Sequence, residues 1–211
     1  SSYFGIVDLA GFPKDIYYMY KSVWTDETVL HLFPHWNWEL GQEIDMWAYY
    51  NNADEVELFI NGESQGTRSK TDGSYHVMWR VKYVPGTIKA VSRKDGKIVK
   101  EQVINTAGEP YQLRLTADRK IINADGTDLS FITVEILDKD GNLCPNADNL
   151  VQFSMEGPAF IAGVDNGTVG LGGVAAHIVA LIHDDDVQLV FGKLTGNADT
   201  NGTRTDDQYV C

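Results

Sequence analysis

Cysteine is scarce in this 211-residue chain. Only Cys144 and Cys211 are present, and two cysteines do not make a disulfide framework. One falls in an expected turn, the other ends the chain, and no further ligands cluster near either, so no zinc site is expected. The redox compartment is left open. Positive charge is also scarce: 17 Lys and Arg stand against 30 Asp and Glu, a net charge of -13. So acidic a chain repels phosphate, which argues against nucleic acid and anionic membrane as partners. Neutral ligands such as sugars are indifferent to that charge. No apolar run approaches the roughly 20 residues of a membrane span, and no signal peptide is visible. Ser1 is not a natural start, so the natural N-terminus is expected upstream and the missing signal says nothing of compartment.

Catalytic and cofactor motifs are missing as well. No Gly-x-Ser-x-Gly nucleophile elbow occurs. Gly170-Leu171-Gly172-Gly173 lacks the lysine and helix of a phosphate loop. Asp138-Lys139-Asp140-Gly141-Asn142 resembles part of a calcium loop, but the twelfth position from Asp138 is Asn149 rather than a bidentate Glu, and strands flank it. A plain turn is expected there. Glu55 and Glu57 sit two apart on one strand face and read as a solvated face, not as a catalytic pair, because a raised-pKa acid needs a pocket. Catalytic, metal-binding and cofactor-binding residues are thus all expected to be none. Asn-Gly-Thr sequons at Asn166 and Asn201 matter only in a eukaryotic secretory pathway.

What is present is globular: 43% hydrophobic residues, 11% of the chain aromatic, and a length that suits one large or two ordinary domains. Pro13-Lys14-Asp15 opens a segment to Trp24 in which nearly every position is apolar or aromatic. Proline suits a first helical turn. The rings of Tyr17, Tyr18, Tyr20 and Trp24 spread around the helix, so it is built to pack against something larger. From about residue 40 the period becomes two. Ile44, Met46 and Ala48 alternate with Asp45, Trp47 and Tyr49. Val56, Leu58 and Ile60 alternate with Glu55, Glu57 and Phe59, and Val77, Trp79, Val81 and Tyr83 follow the same rule. Trp47 and Trp79, inside strands, read as packing residues. Asn61-Gly62 predicts a tight hairpin, and Pro85-Gly86 and Asp95-Gly96 punctuate strands near 87–92 and 97–104.

Residues 106–110 read as a linker. Beyond it, strands are expected at 112–116, 129–137, 151–155, 160–164, 175–182 and 187–194, with a final hairpin around 183–186 and a polar tail from Asn197. Short alternating strands with frequent turns indicate β-sandwiches.

Several strings together resemble one family. Residues 2–8 with Gly11-Phe12-Pro13-Lys14-Asp15, and then His31-Leu32-Phe33-Pro34-His35-Trp36-Asn37-Trp38, are similar to the end of the catalytic barrel in family 2 glycoside hydrolases, in particular bacterial β-galactosidases of the Bacteroides type. Val56–Gly62 and Val84–Ala90 resemble the sandwich that follows, and Leu115–Arg119 and residues 124–131 the terminal bacterial Ig-like domain. The likeness covers about residues 1–167. It implies a mainly β fold: two Ig-like β-sandwich domains preceded by a short helical remnant of a (β/α)8 barrel. The implied divisions are 1–38, the barrel's last loop and helix with a linker; 39–107, an accessory sandwich; and 109–211, an Ig-like sandwich with its tail. The parent would be a retaining β-galactosidase in carbohydrate degradation, periplasmic or secreted, with both catalytic glutamates upstream of Ser1. This chain would brace the upstream barrel of the same polypeptide and touch carbohydrate at most peripherally. A carbohydrate-binding module and an Ig-like adhesion spacer are the alternatives. His35, Trp36 and Trp38 mix ring faces with polar tips, which suits either the substrate mouth or the seat of the barrel. Phe4, Ile6, Tyr17, Tyr18, Tyr20 and Trp24 are expected to have no partner among the strands.

Overall fold

Alternation between residues 43 and 105 becomes two sheets facing one core. The computed structural model describes residues 4–8, 10–123, 125–155, 159–165 and 176–182. The fold is mainly β, its sheets antiparallel, and it divides into two units, Ser1–Ala107 and Gly108–Cys211.

The first unit opens with a short turn in which Asp8 accepts from the backbone N–H of Phe12 at 2.8 Å. Helix α1 (Asp15–Trp24) follows, with Asp15 in its first turn and Lys21 in its last, the charge order a helix dipole favours. Then come β1 (Leu30–Phe33), β2 (Glu43–Tyr50), β3 (Glu55–Ile60), β4 (Glu63–Arg68), β5 (His76–Lys82), β6 (Thr87–Lys94) and β7 (Lys97–Asn105). One sheet has the order β1-β2-β5, the other β4-β3-β6-β7. The predicted inward positions form a single core: Ile44, Met46 and Ala48 meet Val56, Leu58 and Ile60, with Val77, Trp79 and Val81 from β5 and Ile88 and Ala90 from β6. Strand alternation points every second side chain inward.

Both open edges are sealed by side chains. At one, Gln102 accepts from Leu32 N–H at 2.7 Å and donates to Leu32 C=O at 3.3 Å, tying β7 to β1. At the other, the Trp79 indole donates to Gly66 C=O at 3.0 Å. Such closure protects edges that otherwise recruit foreign strands.

The turns use the expected chemistry. Asn61 and Gly62 adopt φ of 50° and 86°, Asp95 and Gly96 51° and 73°, as two-residue hairpins require. Gly86 has a further reason to be glycine. A Cβ there would lie 2.0 Å from Asn61 Oδ1, and the Asn61 side chain is already held by Pro85 C=O and Thr87 N–H.

One segment departs from expectation. Residues 31–38 resemble the exit of a barrel. Instead, Leu30–Phe33 pairs with β2, from Leu30 opposite Tyr50 to Phe33 opposite Trp47, and Trp36 belongs to the core of this unit.

The second unit contributes β8 (Gln112–Ala117), β9 (Leu129–Leu137), β10 (Ala159–Asp165) and β11 (Ala176–Ile182), in the order β10-β11-β9-β8. Its small core has Ile132 and Val134 at the centre. Residues 151–155 form no strand, yet Phe153 and Met155 still pack on that core. The expected strand at 187–194, the hairpin at 183–186, the Gly170–Gly173 run and the polar tail lie outside the described residues.

The 138–142 turn is built around a carboxylate. Asp138, buried, accepts from the backbone N–H groups of Gly108, Asp140 and Asn142 and from the Asn142 side chain, all at 2.8–3.0 Å. Its oxygens serve this turn. Burial alone would raise its pKa, but the hydrogen bonds, from the Asn142 amide and then the three backbone N–H groups, outweigh it and bring the carboxyl from 3.8 to about 2.

Two predictions follow from these cores. Leu58 is fully buried, so Leu58→Ala should lower the unfolding free energy by about 3 kcal/mol, whereas Glu63→Ala, on exposed β4, should change it by less than about 0.5 kcal/mol; urea titration reads both. Asp138 has a depressed folded pKa, so its contribution is fully present above the unfolded value of 3.8 and disappears as pH falls through about 2. Its size is about 2 kcal/mol at neutral pH. Asp138→Asn should therefore destabilise the second unit at neutral pH, and the gap from wild type should close on acidification, as followed by urea unfolding across that pH window.

Candidate docking site

The outward positions of the three-stranded sheet are aromatic where an exposed sheet would be polar. Across it run two rungs: His31 opposite Tyr49 opposite His76, and Phe33 opposite Trp47 opposite Met78. Beyond them Asp45 and Arg80 form a bidentate pair, both bonds 2.8 Å. The rings lean on one another. His31 stacks on Phe33 at 5.4 Å, Phe33 tilts against Tyr49 at 4.9 Å and Trp47 at 6.2 Å, and Trp47 stacks on His76 at 4.1 Å. The outward face of the other sheet differs: Arg93 pairs with Glu57 at 2.7 Å and Lys89 with Glu101 at 3.5 Å.

Helix α1 sits on the aromatic face, packed on β1 and β2. Tyr18 lies parallel to His31 with centroids 3.8 Å apart, and Asp15 Oδ1 meets His31 Nε2 at 2.7 Å. Ser22, a turn further along, is buried. Burial raises the Tyr18 phenol, with Tyr17 adding to it, and burial raises Tyr49 too, with Asp15 adding to that. Tyr18 therefore does have a partner on the strands, against expectation. The partner escaped the sequence reading because His31 was not seen as a strand residue.

The loop after α1 is fastened independently. Asn51 accepts from Val29 N–H at 2.7 Å and donates to Glu27 C=O at 2.9 Å, and Asn52 donates to Asp26 C=O at 3.1 Å. Asn52 has φ of 53°, a left-handed conformation that asparagine tolerates. Lys21 pairs with Glu27 at 2.6 Å. The helix thus has one face on the sheet and its exit pinned to the β2–β3 corner. Its other face stands in solvent: Ile16 is 36% exposed, Val23 52% and Trp24 72%, with Tyr20 tilted against Trp24 at 4.6 Å.

The loop of residues 34–38 packs against the sandwich. Trp36 has no exposed surface; its indole donates to Val84 C=O at 3.1 Å and its ring meets Tyr83 edge-on at 5.0 Å. Trp36 thus packs within the core of its own unit. His35 and Trp38 are half-buried and stack at 4.4 Å, the Trp38 indole donating to His35 C=O. Burial lowers the His35 pKa, and its Nδ1 accepts from Asn37 N–H. Asn37 in turn binds both backbone groups of Ala107, at 2.8 and 2.9 Å. Trp79 is buried, while Trp47 belongs to the outward aromatic row.

Glu57 is occupied. The Ser64 hydroxyl donates to it at 2.6 Å and Arg93 at 2.7 Å, and these bonds, the Ser64 bond foremost, hold its carboxyl below the usual range despite some desolvation. Among the described residues no cluster of three His, Cys, Asp or Glu side chains is placed to hold a metal, and no helix is long and apolar enough to cross a membrane.

The aromatic row was partly legible in the sequence. Asp45, Trp47 and Tyr49 alternate with the core positions of β2, so their outward direction followed from the period. That the row continues through His31, Phe33 and His76 depended on pairing between strands far apart in the chain.

Comparisons place these features among known proteins. Residues 113–170 match the glycoside hydrolase family 2 C-terminal domain 5, and residues 41–100 match a domain of unknown function, DUF4982. β-Galactosidase BoGH2A of Bacteroides ovatus is 67% identical over 167 residues, covering 79% of this chain and 20% of that protein. A putative β-glucuronidase of Formosa agariphila is 37% identical over 169 residues, covering 77% and 16%. Among solved structures, a β-glycosidase from Bacteroides vulgatus superposes with a TM-score of 0.77 at 35% identity, over 87% of this chain and 25% of that one. A glycosyl hydrolase family 2 member from Bacteroides cellulosilyticus gives 0.77 at 31%, over 88% and 29%. The chain spans about a fifth of the length of the first of these relatives. With the family 2 C-terminal model, two-thirds identity to a family 2 enzyme and matching family 2 structures, this chain is a fragment of a glycoside hydrolase family 2 protein.

Proposed function

We propose that this chain is a non-catalytic C-terminal region of a retaining β-galactosidase, bracing a catalytic barrel that lies earlier in the same polypeptide. The observation that carries the reading is the 67% identity to a β-galactosidase over 167 residues that make up only 20% of its length. The order β1-β2-β5 against β4-β3-β6-β7 supports reading the first unit as an Ig-like sandwich, with the second unit as a terminal domain of the same class. In this reading α1 is the last helix of the barrel, and His35 and Trp38 stiffen the sandwich near its junction with that barrel.

The chemistry of the chain agrees with an accessory role. Retaining hydrolysis needs one carboxylic acid kept protonated to donate to the leaving oxygen and a carboxylate about 5 Å away to attack the anomeric carbon. Glu57 has the opposite tuning: Ser64 and Arg93 favour its ionised form. Glu55, two residues along the same strand, opens towards the outer face rather than into a water-excluding pocket. A carbohydrate-binding role would need ring faces left free for a pyranose, and Trp36 has none to give.

The 211-residue chain, purified free of host enzyme, should therefore hydrolyse an activated aryl β-galactoside no faster than a buffer blank. Turnover that survives purification and disappears in Glu57→Gln or Glu55→Gln would place the catalytic site here and overturn the reading.

A further inference from the structure

The β3–β4 hairpin turns on Asn61-Gly62, a pair that is reactive as well as conformationally special. In an Asn-Gly pair the backbone nitrogen of the glycine can attack the asparagine Cγ. The bond from Cγ to the carboxamide nitrogen breaks, ammonia leaves with the proton of the attacking N–H, and a five-membered succinimide forms. Water then opens the ring at either carbonyl, leaving aspartate or isoaspartate. Glycine favours the attack because it has no Cβ to screen its nitrogen and its backbone is permissive. Three such pairs occur in the chain, at Asn61, Asn166 and Asn201, and the first lies among the described residues.

Asn61 is exposed, so burial does not keep water from it. Its side chain is instead held at both polar atoms. Nδ2 donates to Pro85 C=O at 3.1 Å, and Oδ1 accepts from Thr87 N–H at 2.8 Å. Its backbone N–H donates to Thr87 C=O at 2.8 Å. Gly86, between those two partners, lies close behind the carboxamide: a Cβ there would stand 2.0 Å from Oδ1 and 2.8 Å from Cγ. The partners are fixed in turn. Gly86 N–H donates to the Thr106 hydroxyl, Thr106 N–H donates to Gly86 C=O, and the Thr106 hydroxyl donates to Trp36 C=O. Cγ carries both bonded atoms, so it cannot swing over the Gly62 nitrogen while the two hydrogen bonds last.

We infer that Asn61 is a deamidation site held closed by the 85–87 turn, and that its conversion unfastens the β3–β4 hairpin from that turn. Conversion to aspartate puts an oxygen where Nδ2 stood. A carboxylate acceptor then faces Pro85 C=O, and a polar group deprived of its partner is destabilising. Conversion to isoaspartate routes the main chain through Cβ and Cγ. The added backbone atom falls in a two-residue turn whose φ angles of 50° and 86° already match the twist of its strands. The pairing of Phe59 with Ser64 and of Ile60 with Glu63 then loses its register. Asn61 serves the turn through its left-handed backbone and again through its carboxamide, and the second service restrains the reaction that the first invites.

Peptide mapping by mass spectrometry follows deamidation of each Asn-Gly pair in the 211-residue chain at mildly alkaline pH, both folded and in guanidinium chloride. In the unfolded chain the three pairs should convert at similar rates. In the folded chain Asn61 should convert about ten-fold or more slowly than in the unfolded one, because reaction waits on local opening of both hydrogen bonds. Gly86→Ala drives a methyl group into the carboxamide and should return much of the lost rate in a chain that still unfolds cooperatively. Asn61→Asp keeps a residue that tolerates the left-handed backbone and removes the donor to Pro85. It should lower the urea midpoint read by tryptophan fluorescence, which reports the first unit because all five tryptophans lie there. Equal rates for Asn61 in the folded and unfolded chains overturn the inference. So does a slow Asn61 in guanidinium chloride, which would trace its resistance to neighbouring sequence. A folded Gly86→Ala chain that reacts no faster than wild type overturns the hold by the 85–87 turn; where that variant does not fold, the wild-type comparison decides. An unchanged midpoint in Asn61→Asp overturns the unfastening of the hairpin.

Discussion

A three-stranded sheet with apolar side chains on both faces has to be covered twice. Antiparallel sheets commonly meet a core on one side and water on the other, and their strands then alternate apolar with polar. Strands β1, β2 and β5 break that rule. Leu32, Met46 and Trp79 point inward, while Phe33, Trp47 and Met78 point outward. The inner side is closed by the four-stranded sheet. The outer side forces the position of α1, and with it the pinning of the loop that leads from the helix into β1. The outer face of the four-stranded sheet instead carries ion pairs, Glu57–Arg93 and Lys89–Glu101.

The sequence disclosed whatever depended on neighbours close along the chain. The period of two assigned the core of β2, β3 and β5, and the Asn-Gly and Asp-Gly pairs placed two hairpins, because positive φ at both central positions is a local demand. It hid whatever depended on distant pairing. Leu30–Phe33 has only four residues, too few for alternation to stand out, and its partners on β2 lie 14 to 20 residues further along the chain. Missing that strand concealed His31 as the seat of the helix and made Trp36 look available. Residues 151–155 erred the other way. Their alternation correctly signalled that Phe153 and Met155 turn towards apolar neighbours, but alternation reports the burial of side chains, and a strand also needs a backbone partner.

Several acids among the described residues act as hydrogen-bond acceptors. Asp138 gathers four donors, Asp118 accepts from Ser130 and from Phe131 N–H, and Glu57 joins Ser64 to Arg93. Each arrangement favours the ionised form, and the pKa of each is lowered. General acid catalysis at a glycosidic oxygen demands the reverse, a carboxyl kept protonated by desolvation or a like charge. In these three carboxylates the surroundings favour the charged form, the reverse of that demand.

Apolar area and polar contacts divide the work at the helix. Burying a side chain the size of Val23 or Ile16 contributes roughly 1.5–3 kcal/mol but has no direction; it would hold a helix at many angles. A hydrogen bond contributes only about 1 kcal/mol net, yet it fixes a distance and an orientation. The contact of Asp15 with His31 sets the start of α1, the Tyr18 ring lying on His31 sets its rotation, and Asn51 and Asn52 fix the loop at its far end. With both ends and the rotation set, the exposed side of the helix is held at a defined attitude to the row that ends in Trp47 and Met78. A surface oriented in this way loses little conformational freedom when a partner settles on it. That lowers the entropic penalty of association.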